Sequence, residues 1–306
     1  MISSSHTFRM HEHAEVPIPP SVTSGELLGF AADTRVLIVN CDDLGMHDDI
    51  NIAVIDCIEA GIARSCSLMT PCPAAPHAMR LLHQRPEIPF GIHLTLVCDT
   101  PHYRWEPLTA KESTPSLLDD QGQMFTATPA GRAALLARAR LEEVDLEFRA
   151  QIQVALDAGL APTHLDFHCL ADGGRDDILD LTVALAAEHG LAVRVWLGPG
   201  RQKLRGQDLP VIDNPFLDSF SLAIEHKSAQ YARLLCDLPA GLSEWAVHPS
   251  VGTRKTRAID SGWQVRRTDY EFLTSATAHD LLRQQDIALI DYRMIQQAWS
   301  RLGRST

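Results

Sequence analysis

The stretch that decides the reading of this chain is Val36-Leu37-Ile38-Val39-Asn40-Cys41-Asp42-Asp43-Leu44-Gly45. Four apolar residues, mostly β-branched, mark a buried strand. The run stops at two adjacent carboxylates, Asp42 and Asp43, with a glycine two residues on. Like charges side by side at a strand end repel. A bound cation is the usual compensation, and a catalytic role for one of the pair is the usual reason for keeping both. The plainer alternative is a turn of two solvated aspartates in front of a helix cap.

The totals narrow the choice. A chain of 306 residues buries one large core, and barrels of alternating strands and helices reach this size as one domain. The net charge of −12, without a lysine- or arginine-rich run, argues against nucleic acid or an anionic membrane as the main partner. It does not bear on a neutral substrate such as a sugar. The seven cysteines are scattered with no C-x-x-C pair, which argues against a disulfide framework or a cysteine zinc site. With no apolar stretch of signal-peptide or bilayer length, the expected address is the cytoplasm. Residues 1–34 are polar and proline-bearing and read as an arm outside the core, its His6, His11 and His13 belonging to a tail rather than a metal site. Residues 35–306 read as one domain.

Along the chain, Ile50, Ala53, Val54, Cys57 and Ile58 recur at helical spacing, and residues 65–69 form a second strand. Residues 74–84 are helical, and 89–96 form a strand in which Gly91, His93 and Thr95 share one face. Residues 103–128 are aperiodic and long for a connection, so a substrate-facing loop is expected there. One long helix, capped by Thr128 with Pro129 at its first position, runs to about Ala158. In the strand at 164–168, His164, Asp166 and His168 share a face. A helix over 176–189 precedes a strand over 192–196 that carries Arg194. Residues 198–216 read as irregular, 228–235 as helix, 244–248 as a strand ending at His248, and 254–267 as a polar loop. A helix capped by Ser275, a strand at 287–291 and a last helix follow. Strand–helix alternation through about seven units argues for an α/β fold with parallel strands. Without G-x-G-x-x-G or G-x-x-x-x-G-K after any strand, a barrel is preferred to a nucleotide-binding open sheet.

In such barrels chemistry collects where the C-terminal strand ends converge. Here those ends carry Asp42 and Asp43, His93, His164 with Asp166 and His168, Arg194, and His248. One carboxylate with two histidines suits a divalent metal that keeps open positions. A second carboxylate beside it can act as general base on a water that the metal has made more acidic, and a further histidine can protonate a leaving amine. Spacing does not decide which aspartate does which.

The residues 39–46 (VNCDDLGM), 65–75 (SCSLMTPCPAA), 90–96 (FGIHLTL), 162–168 (PTHLDFH), 247–249 (VHP) and 273–276 (LTSA), taken in order, resemble the YdjC-like carbohydrate deacetylases over about residues 35 to 293. The resemblance implies a deformed (β/α) barrel of about seven parallel strands, related to other polysaccharide deacetylases. It implies a divalent cation held by Asp43, His93 and His168, with Asp42 as base, His248 as acid or transition-state donor, and Arg194 orienting a carboxylate in the site. Two histidines and one carboxylate favour zinc-like ions, whereas the family is commonly described with magnesium. Members often form dimers, so a homodimer is expected by analogy. After His168 the chain departs from the family's pattern. Members often continue with more histidines, and here Cys169, Leu170, Ala171 and Asp172 follow.

The expected function is metal-dependent removal of an N-acetyl group from an acetamido sugar or small oligosaccharide, releasing acetate. The alternatives are a metal-dependent sugar isomerase or epimerase and a catalytically silent sugar-binding homologue, which the altered run after His168 would suit.

Overall fold

The computed structural model describes residues 22–302, so His6, His11 and His13 lie outside the described residues. Its centre is a sheet of eight strands: β1 (Arg35–Leu44), β2 (Ser65–Leu68), β3 (Phe90–Leu94), β4 (His164–Phe167), β5 (Ala192–Val193), β6 (Leu217–Asp218), β7 (Gly241–Val247) and β8 (Ile287–Ile290). Seven lie side by side in the order β5-β4-β3-β2-β1-β7-β6, and every pairing is parallel. The eighth, β8, pairs with β1 over Arg35–Ile38, below the point where β2 takes up the ladder at Asn40. Strands β5 and β6 end the row without pairing to each other, so the expected barrel is a curled half-barrel.

β1 is central, and all its residues after Arg35 are buried. That suits a parallel strand covered on both faces and explains why it reads as an unbroken apolar run. The helix Asp48–Glu59 lies on it, buries Ile50, Ala53, Val54 and Cys57, and carries Asp48 and Asp49 in its first turn, where the helix dipole favours anions. Within the stretch assigned to an arm, Ser24–Leu27 forms one helical turn. Its Ser24 and Gly25 amides donate to the Asp213 carboxylate at 2.9 and 3.2 Å.

Three regions differ from expectation. The long helix after Thr128 is two helices, Pro129–Arg138 and Leu141–Asp157. Ala139 leaves helical geometry at ψ 122°, and Arg175 donates to the freed carbonyls of Leu136 and Ala139. No glycine or proline marks this break. The irregular stretch 198–216 contains the helix Gly198–Arg205, whose start is held by Asp172 accepting from the Trp196 and Leu197 amides. The polar loop at 254–267 is instead the helix Arg254–Ile259 and the first turn of Trp263–Leu273. Three of its polar residues, Thr256, Asp260 and Arg266, are buried against polar partners, which a reading by apolar periodicity misses.

Candidate active site

A regular strand would send Asp42 and Asp43 to opposite faces. The pairing of β1 with β2 shifts register between Cys41 and Leu44, and Asp43 takes a positive φ of 67°. This bulge turns both carboxylates into the cavity at the C-terminal edge of the sheet. Aspartate tolerates that conformation better than a branched residue would.

Asp43 Oδ1 lies 3.4 Å from His93 Nε2 and 3.2 Å from His168 Nδ1. The three ligand atoms fall within 4.8 Å of one another. Each imidazole has its other nitrogen on a separate carboxylate, His93 Nδ1 on Asp166 at 2.9 Å and His168 Nε2 on Asp99 at 2.6 Å. A carboxylate behind each imidazole is the arrangement that orients a metal-ligating histidine. Asp43 Oδ1 itself is buried with no hydrogen-bond partner, a costly state unless something occupies the space it faces. Oxygen and imidazole donors of this kind fit a divalent cation.

The charge balance agrees. Asp42, Asp43, Asp99, Asp166, Glu244 and Asp260 surround only two guanidiniums, Arg194 and Arg266. Without an ion, protons fill part of the deficit. Burial works against the His93 imidazolium, but Asp166 and Asp42 carry its pKa up to about 9. His168 is raised well above its usual value by Cys169, Asp99 and Asp43 despite its burial. Burial alone would raise the Asp43 carboxyl, yet Arg266 and the two imidazoles hold it well below the ordinary range.

Asp42 is fixed more tightly. Arg194 clamps it through two hydrogen bonds, Nη1 to Oδ2 at 2.8 Å and Nη2 to Oδ1 at 2.9 Å, and Asn40 donates to Oδ1 at 2.7 Å. Oδ2 is thus the oxygen with a lone pair to spare, and it faces His93 Nε2 at 3.9 Å. Arg194, just past the end of β5, also donates to Glu244 at 2.8 Å and pairs with Asp166 at 2.9 Å. His248, just past β7, lines the same cavity, its Nδ1 2.9 Å from Ser219 Oγ.

A family model described as YdjC-like protein matches residues 36–284. The chain belongs to the YdjC-like family. It is 27% identical over 262 residues to a carbohydrate deacetylase of Thermoanaerobacter pseudethanolicus, covering 86% of this chain and all of that protein. It is 28% identical over 260 residues to one of Geobacillus stearothermophilus, covering 85% and 97%. A crystal structure from Enterococcus faecalis V583, provisionally described as a cellobiose-phosphate cleavage protein, shares the fold. Its TM-score is 0.72 at 24% identity, with 85% of this chain and 98% of that one covered. Among the described residues, no helix is long and apolar enough to cross a membrane.

In this YdjC-like chain the structure therefore brings Asp42, Asp43, His93, His168, Arg194 and His248 to one cavity of about 930 Å³. His164, at the start of the strand that His168 follows, points elsewhere. It stacks on Tyr292 at 3.6 Å, and burial lowers its pKa to about 3, so it is a neutral core residue. Gly91 makes room for that ring, since a Cβ there would meet His164 Nε2 at 2.4 Å. Sequence reasoning missed Asp99 and Arg266. Asp99 follows a two-residue strand, Val97–Cys98, that pairs with Phe125–Thr126. Arg266 sits in the stretch taken for a loop, buried, with Nη1 2.7 Å from Asp43 Oδ2 and Nε 2.5 Å from Asp260 Oδ2. Of the long loop at 103–128, Ala127 lines the cavity and Trp105 packs edge-on against His168 at 6.0 Å.

Proposed function

We propose that this protein is a metal-dependent hydrolase that removes the N-acetyl group from an acetamido sugar or small oligosaccharide. The observation that carries the reading is the buried Asp43 Oδ1, which makes no hydrogen bond and faces one nitrogen of each of two imidazoles that are themselves braced by carboxylates. Asp43, His93 and His168 would hold a divalent cation, Mg2+ or Zn2+. Such a cation supplies a Lewis acid for the acetyl carbonyl and lowers the pKa of a nearby water.

The chain's own groups do the rest. Asp42 accepts the proton of the attacking water at Oδ2, the oxygen that the Arg194 clamp leaves partly free. Arg194 keeps that carboxylate in one orientation and compensates its charge in a buried site. His248, which lines the same cavity, gives a proton to the nitrogen as the C–N bond breaks, so acetate and a free amine leave. Two deacetylase relatives covered over nearly their whole length support the choice of reaction.

The test is acetate release from N-acetylated mono- and oligosaccharides by protein stripped with a chelator and then reloaded with Mg2+ or Zn2+. Activity that disappears on stripping and returns on reloading is expected. Acetate release that ignores the chelator, or that survives Asp42→Asn, would overturn the proposal.

A further inference from the structure

Behind His248 lies a buried polar chain that neither the cation site nor Asp42 uses. Ser219 Oγ is 2.9 Å from His248 Nδ1 and donates to Asp269 Oδ2 at 2.6 Å. Asp269 is completely buried, and both its oxygens are fully engaged. Oδ2 also accepts from the His248 backbone amide at 3.0 Å, while Oδ1 accepts from Tyr231 Oη at 2.8 Å and pairs with Lys227 Nζ at 2.5 Å. Lys227 and Tyr231 are buried as well. A buried lysine–aspartate pair with a tyrosine on it is an expensive way to fill a core, because its desolvation offsets most of its attraction.

Donor and acceptor counting shows what the chain does. A carboxylate engaged by an ammonium is an acceptor only, so the single hydroxyl proton of Ser219 goes to Asp269. The remaining valence of Ser219 Oγ toward His248 is a lone pair. His248 must then donate Nδ1–H, which leaves Nε2 as the nitrogen that carries and gives up a proton. Asp218 Oδ1 lies 3.9 Å from Nδ1, beyond hydrogen-bond reach, and Phe220 packs edge-on to the ring at 4.7 Å.

We infer that Ser219, Asp269 and Lys227 are positioning residues that fix the tautomer and the orientation of His248 so that Nε2 delivers its proton to the leaving amine. The inference rests on the role of His248 proposed above. In the step it serves, the C–N electron pair leaves on nitrogen, that nitrogen takes the proton from Nε2, and Nδ1–H stays on Ser219. The relay matters only where the leaving group needs a proton.

The experiment compares two substrates on the metal-loaded protein: an N-acetylated sugar, whose amine must be protonated to leave, and an aryl acetate, whose phenolate leaves without a proton. Ser219→Ala is expected to lower kcat on the amide by about 10²-fold, with little change in KM, and to hold ester turnover within about threefold of the parent protein. His248→Ala is expected to show the same split. If His248→Ala loses both substrates alike or neither, the role of His248 is wrong. If His248→Ala splits them and Ser219→Ala does not, the relay is wrong. Should Ser219→Ala fail to fold, Ser219→Cys, which keeps the shape and weakens the donor, takes its place under the same two criteria.

Discussion

Arg266 Nη1 stands 2.7 Å from Asp43 Oδ2, and this pairing decides which oxygen of Asp43 is left to face the histidines. With Oδ2 committed to the guanidinium, Oδ1 alone looks toward His93 and His168. The same arginine pairs with Asp260 and approaches Asp99 Oδ2 at 3.6 Å, so it ties the triad to the carboxylate behind His168.

Arg266→Met leaves Asp43 and Asp260 buried without their cation. Breaking one side of a buried pair costs about 3–5 kcal/mol, so the metal-free variant should unfold well below the parent protein. A divalent cation at Asp43 replaces part of the missing charge, so added metal should recover part of the loss. Denaturant unfolding with and without metal checks both halves.

Asp99 touches His168 from behind and is placed outside the triad. Asp99→Asn removes the anionic brace and should weaken cation binding about 10–100-fold while preserving the stoichiometry. Titration calorimetry gives both quantities.

Asp42→Asn keeps the shape of the side chain and removes the proton acceptor. The expected result is a kcat lower by about 10²–10⁴-fold with cation affinity little changed. Equal loss of both would make Asp42 a ligand rather than a base.

The pH dependence follows from His93, whose pKa rises from 6.5 to about 9 in the metal-free fold. The folded state holds this proton more tightly than the unfolded chain does. Its contribution to stability is full below pH 6.5, declines as pH rises, and is lost above about 9. A cation must displace the proton, so its affinity should climb over the same window with proton release. Melting temperatures of metal-free protein across this range, and binding heats in buffers of different ionisation enthalpy, check the two signs.

The sequence made the parallel α/β sheet legible, though not that it stays open as a half-barrel, because its strands are buried on both faces and read as apolar runs, β1 above all. The strand-end positions of Asp42, Asp43, His93 and His168 were legible for a related reason, each being a polar residue at the end or on one face of such a run, whereas the choice of Asp43 with the two histidines came from the resemblance alone. Asp99, Ser219, Arg266 and Asp269 were not. Asp99 follows a two-residue strand, Ser219 starts a short turn, and Arg266 and Asp269 lie in a polar helix, and their burial depends on pairing with groups across the fold. Apolar periodicity carries no trace of such pairing. The bulge at Asp43 was hidden as well, since a bulge is a matter of register between strands and not of residue type. The break at Ala139 is likewise set by Arg175, far along the chain.

The most direct test of the central claim is anomalous diffraction from crystals grown with Mn2+ or Zn2+. The account predicts one strong peak bounded by Asp43 Oδ1, His93 Nε2 and His168 Nδ1, absent from Asp43→Asn crystals. A peak instead among Asp99, His168 and Cys169, or none at a saturating concentration of metal, would contradict it.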